Sequence, residues 1–252
     1  MSKHISSDAL IIGGGIAGIV TAVELLRAGK TVTIVDRDSE ERLGGLALWA
    51  FGGMALVGTP LQRKMGIKDT PARALQDWIS FGELDTTDEH SLAWAKYYVE
   101  NSLPEVHDWL KNEGIKFMPA VNWVERGMYG GGNSVPRYHI VYGTSRELTR
   151  TMISALHAAN KDNRLTLLHH HSIHELEQQG HRVCGAAGSN DKTGEDIRFS
   201  ADTVVVATGG INGNHRQTRA NWPAQRPLPD TMLNGAHPLA DGNMHHHVAD
   251  TL

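Results

Sequence analysis

The stretch Asp8-Ala-Leu-Ile-Ile-Gly13-Gly-Gly15-Ile-Ala-Gly18 decides the fold of this chain. An apolar strand runs straight into Gly-x-Gly-x-x-Gly, and a helix-forming segment follows. The first glycine allows a tight strand-to-helix turn, the second lets a pyrophosphate approach the backbone, and the third lets helix and strand pack closely. Phosphates are then attracted to the positive end of the helix dipole. This order of elements predicts a binding site for an adenine dinucleotide.

The residues after these glycines distinguish FAD from NAD. A second strand is predicted to end at Asp36, about 20 residues on, where a carboxylate binds ribose hydroxyls and repels a 2′-phosphate. Two glycine pairs follow, Gly44-Gly45 and Gly52-Gly53, where an NAD enzyme would begin its next helix. Because glycine lets the main chain close on a ring or phosphate, the pairs favour a long extended ligand such as FAD. Two ordinary turns are the simpler alternative.

The second half of the chain predicts a β-meander and a last strand that faces the ligand. The β-branched run 202–206 ends in Ala207-Thr208-Gly209-Gly210, so it predicts a buried parallel strand whose carboxyl end meets the ligand. Short meander strands are predicted at 165–171, 172–178, 182–189 and 195–199. The predicted fold class is therefore α/β, a Rossmann-like FAD-binding domain. That domain is predicted over 1–240, with a helical insertion at about 66–160 and the meander at about 165–200.

The insertion carries clear helix signals. Thr70-Pro71 is typical of an N-cap followed by proline at the first helical position. The stretch 85–88 starts a second helix, and apolar residues in 103–110 mark the face of a third. Aromatic side chains along the second helix predict core packing rather than a substrate surface; they are Trp94, Tyr97 and Tyr98.

Composition argues against several classes of function. The net charge of -4, from 24 basic and 28 acidic residues, gives no basic patch of the kind that nucleic acid requires. One cysteine, Cys184, allows neither a disulfide framework nor a cysteine-based metal site within a single chain. The histidine clusters 169–171 and 245–247 lack the spacing and carboxylate partner typical of zinc, so no metal is predicted. No apolar run reaches the roughly 18 residues of a membrane span, and the N-terminus lacks the apolar core of a signal peptide, which predicts a cytoplasmic location.

Six motifs together give the chain a specific resemblance. They are Gly13-x-Gly15-x-x-Gly18 with Asp36, Gly44-Gly45-Leu46-Ala47, Phe51-Gly52-Gly53-Met54, Arg137-Tyr138-His139, Ala207-Thr-Gly-Gly-Ile-Asn-Gly-Asn214 and Ala240-Asp-Gly-Asn-Met244. In this order they resemble the FAD-binding part of the fumarate reductase and succinate dehydrogenase flavoprotein family. The soluble FAD-binding dehydrogenases and 3-ketosteroid Δ1-dehydrogenases are the most similar branches. The resemblance covers almost the whole chain and implies a glutathione-reductase-type fold.

The resemblance also implies how FAD is held. Leu46 stands where respiratory succinate dehydrogenases have a flavin-linked histidine, so the resemblance implies non-covalent FAD. Ile173 and Asp241 are implied as cofactor contacts by the resemblance alone. The full set of predicted contacts is Gly13, Gly15, Ile16, Ala17, Gly18, Asp36, Arg37, Gly44, Gly45, Leu46, Ala47, Gly52, Gly53, Ile173, Ala207, Thr208, Gly209 and Asp241.

The loop 129–144 is the best candidate for chemistry, because it places phenol, guanidinium and imidazole groups among flexible glycines. In ketosteroid dehydrogenases a tyrosine acts in hydride and proton transfer, so the resemblance makes Tyr138 and Tyr142 candidate catalytic residues. Arg137 and His139 are predicted as structural or flavin-adjacent groups instead.

The predicted function is that of an FAD-dependent oxidoreductase. It would exchange hydride between the flavin and a CH–CH or C=C bond next to a carbonyl, on a ketosteroid-like or small unsaturated acid substrate, with an unidentified electron donor or acceptor. An NAD-dependent dehydrogenase and a non-catalytic nucleotide-binding fragment are the alternatives.

The family pattern also bears on where the chain stops. Family members continue beyond Asp241-Gly242 with a capping domain, so 241–252 is predicted to begin a truncated one. A fragment of a longer protein is therefore expected, with a natural half that pairs with a separate chain as the alternative. By itself the chain is expected to bind FAD weakly and to turn over nothing.

Overall fold

The computed structural model describes residues 3–121, 124–125 and 131–251. Two compact units make up the chain: Met1–Leu48 together with Met152–Leu252, and Trp49–Thr151. In the described part, no helix is long and apolar enough to cross a membrane. Its strands are β1 (Lys3–Ile12), β2 (Val32–Val35), β3 (Gly53–Ala55), β4 (Tyr138–Ile140), β5 (Leu165–Leu168), β6 (His171–Gln179), β7 (Arg182–Asn190) and β8 (Asp196–Val206). Its α-helices are α1 (Ile16–Arg27), α2 (Pro60–Lys64), α3 (Pro71–Phe81), α4 (Glu89–Asn101), α5 (Trp109–Asn112), α6 (Thr144–Ala159), α7 (His215–Ala220) and α8 (Asn243–Thr251).

The first unit is built on a six-stranded sheet in the order β5-β2-β1-β8-β7-β6. Strands β5, β2, β1 and β8 are parallel neighbours, whereas β8, β7 and β6 pair antiparallel. A parallel sheet joined to a meander confirms the predicted α/β class. The carboxyl ends of β2, β1 and β8 consequently lie side by side, which is the edge where open α/β sheets bind ligands.

The β1-α1-β2 segment forms as its sequence predicts. Helix α1 buries the face made by Ile19, Ala22, Val23 and Leu26. Gly29, just after the helix, has a φ of 80°, a left-handed conformation that favours glycine and turns the chain toward β2. The apolar face packs α1 against β1 and β2, and the turn at Gly29 returns the chain to β2 beside β1.

Two of the strand predictions are wrong about pairing. The predicted strands 195–199 and 202–206 are one continuous strand, β8, which pairs with β7 on one side and with β1 on the other. The predicted strand 165–171 is the shorter β5, which pairs with β2 at the edge of the sheet opposite the meander. Local composition indicates that a strand forms but not which strand it will pair with.

The carboxyl end of β8 is less buried than predicted. Val206 is 39% exposed, and Val204 and Val205 are half-buried. β-Branched residues favour a pleated strand wherever it lies, so the run predicted the strand correctly and its burial wrongly. A buried cluster of the first unit consists of Leu10, Ile12, Val35, Ile173, Leu176, Ala186, Ile197, Phe199, Ala201 and Met244.

In the second unit the helix starts agree with prediction and the aromatic burial does not. The Thr70 side chain accepts the N–H of Arg73 at 3.2 Å and caps α3, and Asp88 caps α4 in the same way. The third predicted helix begins as a π-helix, Ser102–Asp108, and continues as α5. Trp94 is 74% exposed and Tyr97 is 50% exposed, so the core prediction is wrong for both. Helical spacing identifies a face without showing which face is covered.

Arg137 anchors the loop before β4 within the second unit. Its guanidinium makes two hydrogen bonds to Asp69, at 2.9 and 2.8 Å, and one to Asp77 at 2.6 Å. Burial alone would raise the pKa of Asp77, but hydrogen bonds from Ser134 and Arg137 hold the pKa below its ordinary value. Arg137 therefore has a structural role here, one of the two roles predicted for it.

Candidate functional site

A groove of about 690 Å³ runs along the carboxyl ends of β1, β2 and β8, entirely within the first unit. Its volume falls within the roughly 300 to 1,000 Å³ of typical ligand pockets. Fifteen of the eighteen predicted cofactor contacts line it: Gly13, Gly15, Ile16, Ala17, Asp36, Arg37, Gly44, Gly45, Leu46, Ala47, Ile173, Ala207, Thr208, Gly209 and Asp241.

The three motif glycines meet different surroundings. Gly13 has a φ of 109°, and a Cβ there would strike the carbonyl of Ala207. A Cβ on Gly18 would overlap the carbonyl oxygen of Gly13, so the absence of a side chain lets helix and strand pack closely. Gly18 does not line the groove. A Cβ on Gly15 would meet nothing within 4 Å. The space at Gly15 is therefore open groove, as a ligand lying against the backbone requires.

The N-terminus of α1 points backbone N–H groups toward the same place, with no side-chain cap over them. Gly15 is the N-cap and offers no side chain, and the first turn holds no acidic residue. The first N–H groups of a helix have no partner within the helix, so the N-terminus of α1, where Ala17 lies in the first turn, is placed to bind an anion. A diphosphate fits this end of the groove.

Asp36 closes β2 with its carboxylate at the groove. One oxygen accepts the N–H of Gly14 at 2.5 Å and the other accepts the N–H of Asp38 at 2.7 Å. These bonds fix the carboxylate between the glycine turn and the end of β2. A carboxylate has room for more donors than these two, so it is placed to accept ribose hydroxyls.

The first glycine pair packs against the glycine turn. Gly44 donates its N–H to the carbonyl of Gly14 at 2.8 Å, and a Cβ on Gly45 would lie 3.3 Å from Cα of Gly15. Leu46 follows on the wall of the groove and is 42% exposed. An aliphatic side chain offers no nucleophile for a covalent bond to a flavin.

The second glycine pair belongs to the second unit, where close packing leaves no room for a side chain at either position. Gly52 has a φ of 80°, and a Cβ on it would lie 2.5 Å from the backbone nitrogen of Ser145. The ring of Tyr138 occupies the space where a Cβ of Gly53 would be. Both glycines are explained by local packing, and their contact with a cofactor remains a prediction.

The candidate catalytic loop is only partly described. Residues 129 and 130 lie outside the described residues. Tyr138 packs over Gly53 and stacks with Phe51 at 6.2 Å between ring centroids, whereas Tyr142 is 64% exposed. His139 is buried on the opposite face of the β3-β4 ribbon. A catalytic role for either tyrosine remains a prediction.

Several groove residues escaped the sequence reasoning. Asp38, Arg42, His171, His237 and His245 all line the groove. In the sequence, the clusters 169–171 and 245–247 indicate only possible metal ligands, and the triplet 169–171 does not form one strand because His170 has a φ of 58°. His237 and His245 lie in irregular structure and at the start of a short helix, where no periodic pattern marks them.

A glycine turn, an open helix N-terminus and an acid at the end of β2 define a dinucleotide-binding α/β protein. The chain belongs to the FAD binding domain family, which it matches over residues 8–251. Its cofactor is accordingly FAD, which confirms the choice of FAD over NAD. The open space at Gly15 and the donors of α1 fit the diphosphate of this cofactor.

Two curated relatives align with nearly the whole of this chain. The chain is 37% identical over 261 aligned residues to a KsdD-like steroid dehydrogenase of Mycobacterium tuberculosis, covering 96% of this chain and 46% of that protein. It is 28% identical over 244 residues to Fumarate reductase 1 of Saccharomyces cerevisiae, covering 94% and 48%. These relatives confirm the resemblance to fumarate reductase flavoproteins and ketosteroid dehydrogenases.

One solved structure shows the same fold. The 3-ketosteroid-Δ4-(5α)-dehydrogenase from Rhodococcus jostii superimposes with a TM-score of 0.78 at 23% identity, covering 98% of this chain and 54% of that one. The chain thus spans about half the length of the proteins it matches.

Proposed function

We propose that this chain forms the FAD-holding part of an oxidoreductase that acts on a CH–CH or C=C bond next to a carbonyl group. The observation that carries the proposal is the groove at the carboxyl ends of β1, β2 and β8, lined by the glycine turn, Asp36 and the Ala207–Gly209 segment. Relatives named as a steroid dehydrogenase and a fumarate reductase support the reaction class.

The roles of the groove residues follow from their positions. The N-terminus of α1 would hold the diphosphate, and Asp36 would hold the adenosine ribose. Gly44, Gly45 and Leu46 would line the path toward the flavin, with Ala47 beside them. When bound, FAD supplies hydride exchange with a carbon of the substrate. The chain binds and orients FAD and surrounds it with charges and dipoles in fixed positions.

Substrate, partners and location are part of the proposal. A ketosteroid-like or small unsaturated acid substrate agrees with the names of the relatives. The electron donor or acceptor is a separate molecule of unidentified chemistry, no nucleic acid takes part, and the place of action is the cytoplasm. A non-catalytic nucleotide-binding part is the second candidate, because the lining of the groove accounts for nucleotide binding alone.

Titration of the purified, flavin-free chain with FAD tests the binding step. We expect saturable binding with a shift in flavin absorption, and no competition from NADH at similar concentrations. Glu177→Gln, on the meander and outside the groove, serves as a matched control. Absence of saturable FAD binding would overturn the proposal.

A second assay tests the reaction class. A protein that contains this chain is supplied with a 3-ketosteroid and a dye acceptor, or with fumarate and a reduced dye. We expect turnover with one of the two substrates. FAD binding without turnover of either would favour the non-catalytic candidate.

A further inference from the structure

Residues 237–242, called the strap below, contact both the loop after β2 and the loop after β8. Arg37 Nη1 lies 2.8 Å from Asp241 Oδ2, and the two side chains are each 29% exposed. Asp38 Oδ2 lies 3.1 Å from His237 Nε2, with both side chains more deeply buried. These contacts join residues about two hundred positions apart, and all four residues line the groove.

The other side of the strap rests on Gly213. The N–H of Gly213 donates to the carbonyl of Ala240 at 2.8 Å. A Cβ on Gly213 would collide with strap carbonyls, which shows how closely the two segments pack. Within the strap, His237 Nδ1 accepts the N–H of Leu239 at 3.2 Å. A neutral ring that accepts at Nδ1 carries its proton on Nε2, the nitrogen that lies near Asp38.

Asp241 is already occupied by partners from the chain itself. Besides Arg37, its carboxylate accepts the backbone N–H and the side-chain amide of Asn243, each at 3.0 Å, at the start of α8. Burial would raise the pKa of Asp241, but hydrogen bonds from Arg37 and Asn243 and the charge of Arg37 hold it below the ordinary value. Asp241 is thus a charged anchor, engaged mainly in joining two segments.

We propose that the Arg37–Asp241 ion pair is a clasp that retains FAD by holding the strap against the loop that carries Asp36. This inference rests on the proposed function, because the retained ligand is FAD. Arg37 and Asp241 act on each other and so are positioning residues. Each side chain lines the same groove as Asp36. Under this proposal, separating the two side chains widens the end of the groove at which Asp36 lies.

The competing explanation is that Arg37 and Asp241 each touch FAD directly. A double-mutant cycle separates the two explanations, because coupled residues give non-additive effects and independent contacts give additive ones. The variants are Arg37→Met, Asp241→Asn and the double variant. Asp241→Asn removes the charge and keeps a side-chain oxygen that can accept the N–H of Asn243 at the start of α8.

The dissociation rate of FAD is measured by the rise in flavin fluorescence after dilution of the loaded chain. We expect each single variant to release FAD about threefold to tenfold faster, the range of a partly exposed charged hydrogen bond. The double variant should be no faster than the faster single variant, and Arg37→Lys should recover part of the loss. Unchanged single variants, or effects that multiply in the double variant, would overturn the clasp.

Hydrogen exchange without FAD provides a second readout. Each single variant should increase exchange at the strap and at Gly213, whereas Glu177→Gln, which breaks the Arg198–Glu177 pair outside the groove, should not. Strap exchange that stays at the wild-type rate would contradict the proposal. If the wild-type chain binds no FAD, the proposed function fails, whereas normal binding with unaltered variants refutes the clasp alone.

Discussion

At the scale of single residues, the binding role of Asp36 depends on its position directly after β2. Because it follows β2 directly, it reaches both the glycine turn and the groove. A charge-assisted hydrogen bond to ribose contributes about 1.5 to 3 kcal/mol. We therefore expect Asp36→Ala to weaken FAD binding about tenfold to a hundredfold in a titration of the flavin-free chain. Asp202→Ala, exposed on β8, should bind like the wild type, and equal affinity for both variants would remove Asp36 from the site.

Leu46 leads to a prediction about how the cofactor is attached. Its side chain on the groove wall has no atom that can bond covalently to a flavin. Acid precipitation of the FAD-loaded chain should leave all flavin in the supernatant. Yellow colour in the washed pellet would contradict this expectation.

His139 makes the stability of the second unit depend on pH. The ring donates from Nδ1 to the carbonyl of Arg137 at 2.6 Å, and a neutral ring then accepts the Thr59 hydroxyl at Nε2, 2.7 Å away. Burial lowers its pKa from the ordinary 6.5, with a further decrease from His107. Below pH 6.5 the unfolded chain binds a proton that the folded chain resists, so stability falls as pH falls toward the lowered pKa.

Tryptophan fluorescence during urea unfolding measures this effect, because most of the tryptophans belong to the second unit. They are Trp49, Trp78, Trp94, Trp109 and Trp123. The unfolding midpoint should fall between about pH 7.5 and about pH 5.5, and His139→Gln should reduce that fall. Parallel pH dependence in both proteins would mean that other groups are responsible.

At the scale of elements, one glycine of the β1-to-α1 turn is needed for ligand binding and another for folding. A side chain at Gly15 enters open groove, whereas one at Gly18 collides with the backbone of Gly13. We expect Gly15→Val to keep the unfolding midpoint and to lose FAD affinity by about tenfold or more. Gly18→Ala should lower the unfolding free energy by about 1 to 3 kcal/mol. A loss of stability in Gly15→Val equal to that in Gly18→Ala would show that the groove is not open there.

Local signals predicted the βαβ unit and the helix caps well, because glycines, caps and apolar spacing act over a few residues. Pairing partners could not be predicted in this way. β5 ends up beside β2, and two predicted strands merge into β8, because these choices depend on contacts distant in sequence. The exposure of Trp94 on α4 was missed for a related reason, since covering a face depends on neighbouring elements.

At the scale of the whole molecule, the groove combines segments from both ends of the first unit. The glycine turn and Asp36 were recognisable because a contiguous motif carries them. Residues such as His237 and His245 reach the groove only through the folded path of the chain. The residues around them follow no periodic pattern or motif, so the strap could not be predicted from the sequence.

The order of strands in the first unit also has a consequence for synthesis. β1 pairs with β2 and β8, and Lys3 is matched with Ile197, so the central strand lacks one neighbour until almost the whole chain has been made. The second unit is one uninterrupted stretch, Trp49–Thr151. Contacts close in sequence form before distant ones, and domains fold as units during translation.

Nascent chains held on the ribosome test this order. With residue 160 exposed, we expect the stretch 49–151 to resist protease while β1 remains sensitive. With residue 215 exposed, β1 should become protected as well. Until then β1, at the N-terminus of the growing chain, has one unpaired edge. A pause in translation between these two points would therefore leave β1 exposed to chaperones and to aggregation.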